Sequence, residues 1–195
     1  MQNIWIKSIV AFLILFPISI FFHEVGHWII YEINGVDSWI SLQRAIVVNP
    51  DQLTEDIFLK SLFGGPILTI LLALAALFLL KNFPNSIWIL VFGLINSTFR
   101  ILPTLIGTFT AFKTDLHGIS DEGNIVLRIL DNALLREMML ILLLVFYVFI
   151  IIRIYKTFKF PGNFRQKKPL FFTICFLTIL ISLTYPKLDQ LLFGV

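Results

Sequence analysis

Apolar residues run in long blocks along this chain, and most polar positions fall between the blocks. The first block, Ile4 to Ile33, is mostly Ile, Leu, Phe, Val and Trp. Its ionisable interruptions are Lys7, Glu32 and the stretch His23-Glu24-Val25-Gly26-His27. Pro17 predicts a kink one to two turns before that stretch. The second block, Ser61 to Leu80, carries no charge and is flanked by Lys60 and Lys81. A third begins near Phe83 and continues to Phe112, with Arg100 as its one charge. Met138 to Ile152 and Leu170 to Tyr185 are the fourth and fifth. Helical segments of about 15 to 20 residues match or slightly undershoot a hydrocarbon core of about 30 Å. The pattern predicts an all-α polytopic membrane protein with about five transmembrane helices. It is expected to be a single domain over 1–195, with a core over 4–152 and an extra C-terminal helix over 170–185.

The connections are less uniform. Asn34-Gly35 is a helix stop, and the segment after it is polar. Within that segment, Ser38 to Val48 alternates in part and predicts a short β-hairpin-like strip after the first helix. Lys113 to Asn124 is polar and contains Asp115, His117, Asp121 and Glu122. Asn124 to Glu137 is amphipathic at helical period and is expected to extend the fourth helix.

Composition sharpens this picture. The chain is 58% hydrophobic with a mean hydropathy of +0.92, and only 14% of its residues are charged. The net charge of +3 is small, and the basic residues lie beside apolar spans, so the partner implied is a lipid bilayer and not nucleic acid. The single cysteine, Cys175, can form no internal disulfide and reads as a packed or lipid-facing residue. No cleavable leader is expected, because the first block continues directly into the His23–His27 stretch. Arg153 to Lys168 holds six basic residues and no acid. Since Lys and Arg concentrate on the cytoplasmic side, this segment, the N-terminus and the Lys81 turn are expected inside the cell, in the inner membrane.

The chemistry centres on the first block. Ionisable groups at membrane depth are expensive and usually have a task. On a helix, His23 and His27 project from one face. Two imidazoles at that spacing can hold one Zn²⁺, with Glu24 beside them as general base toward a water that the metal activates. Zinc needs a third protein ligand, and Asp115, His117, Asp121 and Glu122 are all candidates in the same polar segment. Asp121 is the choice, because it precedes Gly123 at the start of the amphipathic run. A carboxylate there also suits a helix N-terminus, so the alternative is an N-cap only. Arg100 could stabilise an oxyanion or simply pair with an acid such as Asp115. Asn96 could offer its amide to a substrate backbone or bond a neighbouring helix. Gly64-Gly65-Pro66 reads as close helix packing or a helix break.

These residues, taken in order, resemble the site-2 protease family of intramembrane zinc metalloproteases. Phe22-His23-Glu24-Val25-Gly26-His27 is similar to its first motif, and Gly64-Gly65-Pro66-Ile67-Leu68 to the Gly-Pro opening of its following helix. Ile101-Leu102-Pro103 and Ser120-Asp121-Glu122-Gly123 resemble pieces of its third motif, which supplies the last zinc ligand. The likeness covers roughly Ile9 to Leu130. The first motif is intact. Further on, Arg100 stands where that family has Asn, the interval from Pro103 to Asp121 is long, and Glu122 separates Asp121 from its glycine. The resemblance implies a compact member without a PDZ domain. It implies zinc held by His23, His27 and Asp121, with Glu24 as the catalytic base. It also implies a transmembrane or membrane-anchored protein as substrate. The alternative is a zinc-binding membrane scaffold or metal carrier without protease activity.

Overall fold

In a computed structural model, residues 4–42, 44–110, 120–160 and 167–193 are described, with side chains omitted at 109–110 and 184–193. Among the described residues, the architecture is all-α apart from one small sheet. Helix α1 spans Ile4–Ile33, α2 Glu55–Asn82, α3 Ile87–Thr98, α4 Ile101–Thr110, α5 Asp121–Ile129, α6 Ala133–Thr157 and α7 Lys167–Phe193. Among the described residues, four helical stretches are long and apolar enough to cross a membrane: 4–33, 55–82, 87–108 and 133–157. Helix α7, 27 residues long, covers the fifth predicted block.

Local sequence sets the boundaries. Helix α1 runs through Pro17 and ends where Gly35 takes φ +73°, a conformation open to glycine. There the Val36 N–H donates back to the Tyr31 carbonyl at 3.0 Å, and the chain turns into the hairpin. Strands β1 (Ser38–Ile40) and β2 (Ala45–Val47) pair antiparallel, Trp39 opposite Ile46. Thr54 caps α2 by accepting from the Ile57 N–H, with Glu55 and Asp56 in the first turn and Lys81 in the last, a charge order that suits the helix dipole.

Two predicted boundaries are corrected. The third block is not one uninterrupted helix. A turn at Phe99-Arg100 separates α3 from α4, and this turn sets Arg100 beside the buried Glu122 and the half-buried Asp121. The amphipathic run does not extend the fourth helix either. Helix α5 stops at Ile129, and Asn132 starts α6 afresh by accepting from the Leu134 and Leu135 N–H groups. The Arg136 Nε donates to the Leu130 carbonyl at 2.5 Å, satisfying the break.

Helix α1 packs against α2 and α3. Its Phe12, Phe16 and Ile20 share one core cluster with Ala73 and Leu80 of α2 and Leu94 of α3. Small residues let the backbones approach, as is common between membrane helices. A Cβ built on Gly64 would overlap the Gly26 carbonyl, so α1 and α2 touch backbone to backbone there. A Cβ at Gly93 would meet Ala76 Cβ and Ile154 Cδ1, each at 3.0 Å, which brings α3 close to α2 and α6. Asn96 Nδ2 donates to Ser19 Oγ at 3.0 Å and to the Phe92 carbonyl at 2.9 Å, tying α3 to α1. Cys175 is half-buried, with Thr98 Oγ1 at 3.6 Å from its sulfur.

Candidate metal centre

Four separate elements converge on one point. Helix α1 contributes His23, Glu24 and His27, all buried. The α3–α4 turn contributes Arg100, and the first turn of α5 contributes Asp121 and Glu122. Helix α2 forms the wall behind the imidazoles. A Cβ on Gly65 would collide with both rings, so only a glycine fits at that point of contact.

The imidazole tautomers follow from their partners. His27 Nδ1 lies 2.7 Å from the Ser61 carbonyl, which can only accept, so Nδ1 carries the hydrogen. His23 Nδ1 lies 3.0 Å from Thr69 Oγ1. The Thr69 hydroxyl donates to the Gly65 carbonyl at 3.0 Å, so it accepts from His23. In each neutral ring, Nε2 is then the lone-pair atom. These two lone pairs face each other at 3.2 Å. Asp121 Oδ2 completes the triangle, 3.1 Å from His23 Nε2 and 3.6 Å from His27 Nε2.

Three acceptor atoms turned toward one another suit a cation between them. Zn–N and Zn–O bonds of about 2.0–2.2 Å at tetrahedral angles would set ligand atoms about 3.3–3.5 Å apart. The observed separations of 3.1, 3.2 and 3.6 Å lie around that value. Among the described residues, His23, His27 and Asp121 are the one group of three His, Cys, Asp or Glu side chains placed to hold a metal ion.

Asp121 is not the helix cap. Ser120 fills that role by accepting from the Gly123 N–H at 3.0 Å, and Asp121 is the first helical residue. This leaves the Asp121 carboxylate to face the histidines. Burial pushes its pKa up, but the Arg100 guanidinium outweighs that and holds it well below the usual carboxylate range. Helix α5 is held in place by the ion pair of Arg128 with Glu55 and by Arg128 lying 4.7 Å over the Phe58 ring.

Arg100 is buried and forms a forked pair with Glu122. Its Nε is 2.8 Å from Oε1, and Nη2 closes the fork on Oε2. Nη2 also donates to Asp121 Oδ2 at 2.9 Å. Tyr147 of α6, fully buried, places its hydroxyl 3.4 Å from Glu122 Oε1. Glu122 is therefore the partner of Arg100 and stands outside the metal-ligating group. Asp115 and His117, the other candidate ligands, lie outside the described residues. The Asn96 amide bonds a neighbouring helix instead of facing the site.

Glu24 turns to the hairpin. Its Oε2 accepts from the Ala45 N–H at 3.0 Å. In the β1–β2 ladder, the Ser41 N–H donates to the Arg44 carbonyl and the Val48 N–H to that of Asp37, so by antiparallel alternation the Ala45 N–H points away from β1. The outer edge of β2 thus runs past Glu24. A cavity of about 540 Å³ joins these groups, lined by His23, Glu24, His27, Ala45, Arg100 and Asp121 among others.

Ser61 and Thr69 carry no sequence signal of their own, being single hydroxyls on an apolar helix. Their spacing around Gly65 is the one available clue.

The fold and site together define a helical membrane protein with a His/His/Asp group, buried or half-buried, that is able to hold a metal ion. Comparison with protein-family models, curated proteins and solved structures found no match.

Proposed function

We propose that this protein is an intramembrane zinc metalloprotease similar to the site-2 proteases, cleaving a transmembrane segment of another membrane protein. The convergence of two Nε2 lone pairs and one carboxylate oxygen at 3.1–3.6 Å carries this reading. His23, His27 and Asp121 hold the metal, which when bound supplies Lewis acidity and lowers the pKa of water toward about 7. Glu24, held by Ala45 through one oxygen, keeps its second oxygen as proton acceptor. It takes a proton from the attacking water as that oxygen bonds to the scissile carbonyl carbon and the C=O π pair moves onto the carbonyl oxygen. It then hands the proton to the amide nitrogen as the C–N bond breaks, leaving an amine and a carboxylic acid whose remaining proton passes to that amine, giving carboxylate and ammonium.

A substrate helix hides its carbonyls in its own hydrogen bonds and must unwind locally. The outer edge of β2 offers it an extended partner beside Glu24. The run of basic residues from Arg153 to Lys168 supports a cytoplasmic N-terminus in the inner cell membrane.

Glu24→Gln separates this reading from a metal carrier or scaffold. The variant is expected to keep stoichiometric zinc and to lose proteolysis by about 10²–10⁴-fold. The measurement is a comparison of new membrane-protein termini in cells expressing the wild type or the variant. Equal fragment patterns with zinc still bound would sink the protease reading.

A further inference from the structure

The Arg100–Glu122 pair is more than a structural ion pair, because one end of the guanidinium faces the metal group. Glu122 grips Arg100 through Nε and Nη2, and Nη2 also serves Asp121. Nη1 lies outside that grip. Among the described residues its one hydrogen-bond partner is His23 Nε2, at 3.3 Å. That nitrogen has a single lone pair, and a metal ion that takes it leaves the Nη1 hydrogens without an acceptor among the described residues. They then sit at the wall of the cavity that His23, Glu24 and Asp121 share.

We infer that Arg100 is a catalytic residue whose Nη1 donates to the carbonyl oxygen of the scissile bond as negative charge develops there, and that Glu122 is its positioning residue. This rests on the protease reading. When water adds to the carbonyl carbon, the π pair becomes an oxyanion. A fixed guanidinium stabilises that charge without giving up a proton, since Arg stays protonated. The Glu122 and Tyr147 side of the network fixes the guanidinium plane before substrate arrives, so little reorganisation is needed.

The test uses the full chain in detergent, saturated with Co²⁺, whose visible spectrum reports ligands entering the site. Two probes are titrated: a phosphinic tripeptide, which carries a tetrahedral oxyanion, and imidazole, a neutral metal ligand. The double variant Arg100→Met/Glu122→Gln removes the donor together with the Glu122 charge, and the bound Co²⁺ balances the Asp121 carboxylate that Arg100 also contacts. It is expected to bind Co²⁺ and imidazole as the wild type does, within about threefold, and to lose phosphinate affinity by about 100-fold, the scale of one lost oxyanion donor. Arg100→Lys keeps the charge but not the fork that Glu122 grips, and should show the same selective loss at about tenfold. Phosphinate affinity unchanged in Arg100→Lys, or falling in parallel with imidazole, overturns the inference while leaving the metal site standing. Failure of the wild type to bind Co²⁺ overturns the metal reading, and the inference with it.

Discussion

Gly26 and Gly64 meet backbone to backbone: a Cβ built on either one would overlap the other's carbonyl group. This contact sits one residue from His27 on α1 and one residue from Gly65 on α2. It holds the ligand-bearing face of α1 against the wall that shapes it. Gly26→Ala and Gly64→Ala should each force the helices apart, because the colliding atoms are backbone and cannot rotate away. Overpacking of this kind costs about 1–3 kcal/mol or more. Thermal melts in detergent should show a clear drop in Tm for both, with metal content falling alongside.

Gly65→Ala should behave differently. Its Cβ would fall on the imidazoles of His23 and His27 instead of on backbone. Side chains can swing aside, so the fold should survive while the ligand geometry is lost. Metal affinity is expected to fall by about 10–100-fold, as for other changes that misorient ligands. Competition with a chromophoric chelator measures it. Unaltered affinity would show that the rings are not held where the tertiary contacts place them.

Thr69→Val removes the acceptor that fixes the His23 tautomer while preserving shape. The Nδ1–H bond at 3.0 Å is lost, and the ring is free to present a protonated Nε2. A loss of about 10–100-fold in zinc affinity is expected, measured by the same competition. Thr69→Ser, which keeps the hydroxyl, should restore most of it.

Asp121→Asn gives a pH signature in the metal-free protein. The Asp121 pKa is depressed by Arg100. A depressed carboxylate contributes stability that is present above its unfolded pKa of about 3.9 and is lost as pH falls through the lower folded value. The wild type should therefore melt several degrees above the variant at pH 7. The difference should persist at pH 5 and close only well below pH 4. A gap that closes between pH 7 and pH 5 would contradict the assignment.

The membrane-spanning blocks, the hairpin after α1 and the pairing of His23 with His27 are legible in the order of residues alone. These are local facts. Long apolar runs in lipid satisfy their backbone groups as helices, and two residues four apart on a helix share a face whatever surrounds them. Glu24 beside them and a carboxylate segment further on are legible for the same reason. The rest depends on contacts between segments far apart in the chain. The break at Phe99-Arg100 is invisible in an apolar run. It arises where Arg100 finds Glu122 and Asp121, 22 and 21 residues away. Likewise the choice of Asp121 over its neighbour follows from Ser120 taking the cap and Arg100 taking Glu122, leaving one carboxylate facing the histidines. The tautomers are decided by Ser61 and Thr69 on a second helix, 34 and 46 residues from their histidines. Periodicity reports which face a side chain occupies. It cannot report which distant acceptor that face meets, and the chemistry of this site lies in those meetings.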